Sequence, residues 1–291
     1  GAMRWLNASD LRQALPMDEA VAAMEAAFGD DRETPIRIGL GVSLFMAGRV
    51  GGITGVKVVS SVPGDPAGIV AVFGPDGHPL GLVDGPSLTA IRTGAASGLA
   101  TQLLAAPGAS VLAMLGAGAM AADQVAAARE VRPIERVLVW SRSGERAAAL
   151  ADRVGGEVSG DADAAVAAAD IVCCATPAST PLFGDRSVAP GTHINAVGAF
   201  TSEMVEIPPE TMERAYVVVD DVDAASAEAG DLIRADRAPN ATIGDLLAGR
   251  APEIGEDVTV FKSVGIASQD VAAAVLALRR ADQLGLGLVL E

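Results

Sequence analysis

The chain has 291 residues, half of them apolar, enough for roughly two domains at ~150 residues each and for a substantial core. Its 21 basic and 37 acidic residues leave a formal charge of −16, which argues against nucleic acid or anionic membrane as a partner. No run is apolar over the ~20 residues that a bilayer crossing needs, and no signal peptide is visible, so a soluble cytoplasmic protein is expected.

Gly1-Ala2 ahead of Met3 read as a tag remnant and carry no weight in the fold. Residues 5–28 predict helix, with Ser9-Asp10 placed to cap a first turn and Val21, Met24, Ala27 and Phe28 at helical spacing. From Ile36 to Val83 the texture is β-rich, in short runs (VSLFM, GITGVKVVSSV, GIVAVF, PLGLVD) separated by Gly, Pro and Asp. Pro75-Asp76-Gly77 is a turn signal, so Ile69–Phe73 and Pro79–Val83 should pair as a hairpin. Residues 86–104 return to a helical pattern.

After Pro107-Gly108 strand and helix alternate. The predicted strands are Val111–Leu115, Val137–Trp140, Ile171–Ala175, His193–Val197, Tyr216–Val219 and Val258–Phe261. They are near-continuous apolar runs, as parallel strands covered on both faces require, and the alternation predicts a doubly wound α/β domain. A last helix is expected over Gln269–Leu284. Cys173 and Cys174 are adjacent within a strand, where neighbours face opposite sides. A bridge between them is not expected, and both read as buried packing residues compatible with a reducing compartment.

Val111–Leu115 runs directly into Gly116-Ala117-Gly118-Ala119-Met120-Ala121 and then into a helix. This is G-x-G-x-x-G/A in its proper context. The first glycine makes the turn, the second lets the backbone approach a pyrophosphate, and the small third residue lets helix and strand pack closely. The helix N-terminus offers free N–H groups to phosphate. A merely structural Gly-rich turn is the alternative. Trp140-Ser141-Arg142-Ser143 and Arg146 stand where an NAD enzyme usually carries an acid for the ribose 2′-OH. Hydroxyls and arginines suit a 2′-phosphate, so NADPH is expected over NADH, unless Arg142 and Arg146 are only surface charges at a helix start.

The chain has only two lysines, Lys57 and Lys262, both in apolar contexts. Lys57 alternates with Val56 and Val58 and so projects from the face opposite them. With Arg37 and Arg92 it can form a carboxylate site in an otherwise acidic protein. A buried ion pair for Lys57 and a solvated helix charge for Arg92 are the alternatives. His78 and His193 have no partners at metal-ligand spacing, so no metal is expected. His193 precedes a strand end and can lie near the cofactor or be purely structural.

Several blocks, in order along nearly the whole chain, resemble the ornithine cyclodeaminase and mu-crystallin family. They are TGVKVVSSVPGDP, GLVDGPSLTAIRTGAAS, LGAGAMAADQ, GTHINAVGA, VDDVDAASAEAGDL and TVFKSVGIASQDVAAA. The resemblance implies a Rossmann domain over 107–267. It implies a smaller α+β substrate and dimerisation domain over 3–106 with 268–291, pairing as a homodimer through its β-rich part. Arg37, Lys57 and Arg92 would hold the substrate carboxylate, Arg92 and Thr93 also lying near the cofactor. The segment between Arg37 and Phe45-Met46 is shorter than the family's usual hairpin. Besides Gly116, Gly118, Ala119 and Met120, the cofactor would meet Thr176, Pro177, Val197, Gly198 and Ser263. Glu228 and Phe261–Gly265 would lie near the nicotinamide, with Lys57, Arg92 and Glu228 as catalytic candidates. Ser141-Arg142-Ser143 is similar to the Asn-Arg-Thr by which the mu-crystallin branch accepts NADPH.

The family includes cyclodeaminases, amino-acid dehydrogenases, reductases of cyclic ketimines, and members that mainly bind small molecules. In cyclodeaminases an aspartate follows the block resembling Asn195-Ala196-Val197-Gly198-Ala199. Here Phe200-Thr201-Ser202 follow it, and Phe200 offers a wall for a substrate ring. The expectation is therefore reduction of pyrroline-2-carboxylate or piperideine-2-carboxylate to L-proline or L-pipecolate. A lyase in which Glu203 replaces the aspartate, a dehydrogenase, and a non-catalytic NADPH-dependent binder are the alternatives.

Overall fold

A computed structural model describes residues 2–60, 62 and 66–291. Ser61, Pro63, Gly64 and Asp65 of the TGVKVVSSVPGDP block, and Gly1 of the expected tag remnant, lie outside the described residues. The chain divides into two compact units, Gly1–Ala96 with Ile266–Glu291, and Ser97–Gly265.

The first element is a strand, β1 (Met3–Leu6), followed by helices α1 (Ala8–Ala14) and α2 (Met17–Phe28). This corrects the continuous helix expected from residue 5. Asn7 caps α1 in place of Ser9-Asp10, its side chain accepting the Asp10 N–H at 2.9 Å. Pro16, which has no N–H to extend α1, sits at the N-cap of α2. The β-rich stretch forms β2 (Arg32–Glu33), β3 (Ile38–Leu40), β4 (Ser43–Val50), β5 (Ile53–Ser60), β6 (Gly68–Phe73) and β7 (Pro79–Asp84). The predicted hairpin is β6 against β7, antiparallel, with Val70 opposite Val83. Helix α3 (Gly85–Leu104) follows at once.

The alternating region runs β8 (Val111–Leu115), α4 (Ala121–Val131), β9 (Arg136–Trp140), α5 (Gly144–Val154), β10 (Glu157–Val158), α6 (Ala162–Ala168), β11 (Ile171–Cys174) and β12 (His193–Ala196). It continues through α7 (Pro209–Arg214), β13 (Tyr216–Val219), α8 (Val222–Glu228), α9 (Gly230–Arg234), β14 (Ala241–Thr242), α10 (Ile243–Leu247) and β15 (Thr259–Lys262). Helix α11 (Ala267–Leu284) and β16 (Leu288–Leu290) close the chain.

In the first unit eight strands form one mixed sheet, ordered β16-β1-β7-β6-β5-β4-β2, with β3 paired to β4. Helix α11 lies on this sheet at close range. A Cβ on Gly48 would come within 2.9 Å of Ala267, and one on Gly55 within 2.9 Å of Val271, so side chains there would push the helix away. Gly55 and Lys57 share the buried face of β5, while Val56 and Val58 face outward, as alternation requires.

In the second unit eight strands form an all-parallel sheet, ordered β10-β9-β8-β11-β12-β15-β13-β14. From β8 the chain steps outward through β9 and β10, then returns to β11 on the other side of β8. That reversal makes a switch point at the carboxyl ends of β8 and β11, where ligands of open α/β sheets bind. Strand residues alternate between two cores, Leu112, Met114 and Cys173 on one face and Ala113, Leu115 and Cys174 on the other. The cysteines are free and buried. Burial pushes the Cys173 thiol up to about 12 and that of Cys174 well above its ordinary value. Among the described residues no helix is long and apolar enough to cross a membrane.

Candidate active site

In the second unit the glycine turn leaves β8 at the switch point. Gly116 has φ +110°, and a Cβ there would lie 2.5 Å from the Ala175 carbonyl oxygen, so the turn abuts the end of β11. At Gly118 an added Cβ would meet nothing within 4 Å. That combination of a forced turn followed by open space over the backbone suits a pyrophosphate. Met120 stands at the N-cap of α4 without a side-chain cap, so the positive end of the helix dipole follows the glycine turn directly.

The other expected cofactor residues of this unit line the same carboxyl edge. Ser141, Arg142, Ser143 and Arg146 follow β9, Thr176-Pro177 follow β11, Val197-Gly198 follow β12, and Ser263 follows β15. Their side chains differ in freedom. Arg142 and Arg146 are exposed, whereas Ser143 caps α5 by accepting the Arg146 N–H at 3.2 Å. Ser263 is buried, its hydroxyl donating to Asp220 at 3.1 Å. Glu228 is partly buried at the end of α8, and Phe200 is 49% exposed on the loop after β12.

In the first unit the structure brings Lys57 and Arg92 together on one carboxylate that the sequence reading missed. Lys57 Nζ and Arg92 Nε each donate to Asp270 Oδ1 at 3.0 Å. Lys57 also donates to Thr89 Oγ1 at 3.3 Å, and Arg92 to Gln269 Oε1 at 3.5 Å. All three charged side chains are buried, so Arg92 is not a solvated helix charge, and Lys57 does form a buried ion pair. Thr93 is buried on the same helix as Arg92. The ion pair is not self-sufficient. Burial pulls Lys57 down to about 8, with repulsion by Arg92 and Arg37 adding to the fall and Asp270 opposing it. Burial pushes the Asp270 carboxyl up, but Arg92 and Lys57 together hold it below its ordinary range. Lys57 and Arg92 thus share one anion, with the partly buried Arg37 close enough to repel Lys57, and two cations on one carboxylate suit a second carboxylate, with Arg92 able to offer a planar fork. The signal for Asp270 was a lone charged residue inside the otherwise uncharged SVGIASQDVAAA.

His193 opens β12 at its amino end, away from the glycine turn. Its ring is buried between Thr259 Oγ1 at 2.8 Å and Asn195 Oδ1 at 2.9 Å, and burial pulls it down to about 4. It is a neutral structural residue, the second of the two readings that its place in the sequence left open. Among the described residues no group of three or more His, Cys, Asp or Glu side chains is arranged to hold a metal ion.

Known proteins carry the same organisation. The model of the ornithine cyclodeaminase/mu-crystallin family matches residues 44–283. A Delta(1)-pyrroline-2-carboxylate reductase of Bacillus cereus is 34% identical, the match covering 98% of this chain and 99% of that protein. The Thermococcus litoralis Delta(1)-pyrroline-2-carboxylate reductase, solved in complex with NADH and L-proline, superposes with TM-score 0.91 at 30% identity, over 98% of this chain and 99% of that one. An archaeal alanine dehydrogenase dimer with bound NAD superposes with TM-score 0.92 at 28% identity, over 100% of this chain and 99% of that one. The chain belongs to the ornithine cyclodeaminase/mu-crystallin family.

Proposed function

We propose that this protein is a nicotinamide-dependent oxidoreductase that reduces a cyclic ketimine carboxylate, pyrroline-2-carboxylate or piperideine-2-carboxylate, to L-proline or L-pipecolate. The observation that carries this reading is the sharing of the one carboxylate of Asp270 by two buried cations, Lys57 and Arg92. The bound dinucleotide supplies a hydride for the imine carbon. Arg92 and Arg37 hold the ring carboxylate, and Lys57 Nζ delivers a proton to the ring nitrogen. Asp270 fixes both donors in place. The test is NADPH oxidation on each ring imine and on pyruvate plus ammonia. Oxidation on the ring imines supports the reading. Oxidation only on pyruvate plus ammonia would move the protein to the dehydrogenases, as the alanine dehydrogenase likeness allows. Cofactor fluorescence changes without oxidation on any imine would make it a binder.

The pH profile should carry the Lys57 signature. Below about 8 Lys57 is charged and binds carboxylate, and above it the charge is lost, so kcat/KM should fall. Asp270 raises the Lys57 value, so Asp270→Asn should move that fall to lower pH. A fall that stays in place would belong to the substrate imine instead.

NADPH is the proposed cofactor, with NADH used less well. Arg142 and Arg146 are exposed beside Ser141, where charge-assisted hydrogen bonds to a 2′-phosphate can form. Wild type should bind NADPH roughly tenfold or more tighter than NADH, and Arg142→Ala should erase most of the difference. Equal binding of the two cofactors by wild type would overturn this reading.

The homodimer is also part of the proposal. Ile36, Ile38, Leu40 and Val42 are all more than 60% exposed along β3 and its flanks, an apolar strip that a second copy would cover. A cytoplasmic setting is supported by two free, buried cysteines.

A further inference from the structure

Three carboxylates and one ammonium lie buried at the carboxyl edge of the second unit's sheet, and the chemistry above uses none of them. Glu206, Asp220, Asp231 and Lys262 are at most 2% exposed. Glu206 Oε1 accepts the N–H groups of Gly198 at 2.7 Å and Ala199 at 3.1 Å. Its Oε2 accepts the N–H of Thr176 at 2.7 Å and the hydroxyl of Thr176 at 2.9 Å. One side chain thus ties together the chain leaving β11 and the chain leaving β12. Asp231 Oδ1 accepts the N–H groups of Glu206 at 2.7 Å and Ile207 at 3.0 Å. Asp220 Oδ2 accepts those of Val264 at 2.9 Å and Gly265 at 2.7 Å, just after β15. Lys262 Nζ lies 3.2 Å from Asp231 Oδ2, an ion pair not aligned as a hydrogen bond, and donates to the Ala196 carbonyl at 3.2 Å.

Loop stapling explains the hydrogen bonds but not the charge. Neutral amides or hydroxyls can accept N–H groups at a smaller desolvation cost than buried carboxylates. Here Lys262 pairs with Asp231, Asp231 holds the Glu206 backbone, and Asp220 follows the neighbouring strand β13, so three carboxylates stand against one ammonium along this edge, and the surplus negative charge lies where the fold places half of a dinucleotide. The glycine turn after β8 and the Ser141–Arg146 stretch after β9 suit the pyrophosphate and the adenosine ribose. The second mononucleotide half of such a sheet, formed here by β11, β12 and β15, takes the other base. In a nicotinamide dinucleotide that base is cationic when oxidised and neutral when reduced.

We propose that the buried carboxylates Glu206, Asp231 and Asp220, with Lys262 as the one cation set against them, bias the nucleotide site toward the oxidised, cationic nicotinamide. The proposal rests on the cofactor reading given above. Glu206 is a positioning residue here, shielded from solvent and acting through its field and through the loops it holds. Hydride donation places positive charge on the ring, so the same field favours reduction of the imine.

The test is the ratio of two affinities, which packing damage alone does not move. Burial raises Glu206 to about 7, with Asp231 adding to the rise and Lys262 opposing it, so at pH 8 it is ionised. Cys174, buried beside it, remains a thiol there. Calorimetric titration at pH 8 compares NADP+ and NADPH binding to the full chain, without substrate. Glu206→Gln should raise Kd(NADP+)/Kd(NADPH) by about tenfold, the effect of one unit charge acting through a partly screened interior. Asp231→Asn should shift it the same way and serves if Glu206→Gln fails to fold. Equal weakening of both forms would overturn the proposal and leave Glu206 a loop staple. Wild type binding neither form would overturn the cofactor reading beneath it.

Discussion

Lys57→Met should all but abolish turnover of the ring imine and leave nucleotide binding nearly intact. The expected loss in kcat/KM is roughly a thousandfold, because the variant forfeits one charged hydrogen bond to the carboxylate together with the proton at the ring nitrogen. Methionine keeps most of the buried volume on β5. The loss is not a disguised unfolding. Removing one partner of a buried ion pair commonly costs ~3–5 kcal/mol because the other charge is stranded, but Asp270 keeps Arg92 Nε at 3.0 Å. Part of that cost is also offset because Lys57 is itself a strained charge, pulled down to about 8 by burial. The measurement pairs steady-state kinetics with cofactor titration and a thermal melt. Normal kcat/KM in a folded Lys57→Met protein would reduce Lys57 to a structural ion pair and remove the observation on which the function rests.

The ease with which Lys57 could be singled out, and the invisibility of its partner, have the same physical origin. A lysine flanked by valines in a strand announces itself locally, since alternation alone puts it on the opposite face from them. Asp270 lies 213 residues away, and only the packing of α11 on β5 joins the two. The parallel sheet was legible because strands covered on both faces are short, continuous apolar runs, and Val111–Leu115 and Tyr216–Val219 have the predicted bounds. Met3–Leu6 was not legible. Four residues carry too little periodicity to separate strand from helix, and β1 exists because β7 and β16 pair with it from far along the chain. The short edge strands β2, β10 and β14 were missed for the same reason. Glu206 shows a different limit. Its sequence neighbourhood, Met204-Val205-Glu206-Ile207, reads as a strand-like apolar run with one acid, and nothing local says that three backbone N–H groups from two other segments converge on it.

Ornithine with NAD should yield no ammonia at a rate comparable to ring-imine reduction. A cyclodeaminase must hold an amine, let it attack, and stabilise cationic intermediates, and a carboxylate beside the substrate serves each of those steps. At the position following Ala199 this chain has Phe200, whose ring is 49% exposed and has no group that accepts a proton. The nearest acid that can substitute is Glu203. It is exposed, and the Ser202 hydroxyl donates to it at 2.8 Å, which holds its carboxyl below the usual range. A solvated carboxylate already bound by its neighbour is a poor proton acceptor near neutrality, and its attraction for an amine is screened by water. A ring-imine reductase asks less of this position. It needs the ring carboxylate held, the imine carbon presented to the cofactor, and an apolar surface beside the ring, which a phenyl group provides. Phe200→Asp should accordingly lower imine reduction, by roughly tenfold, through loss of that surface and burial of a charge against an apolar ring. Ammonia from ornithine at a rate matching imine reduction in the wild type, with NAD regenerated, would sink the reductase assignment and return Glu203 to the chemistry.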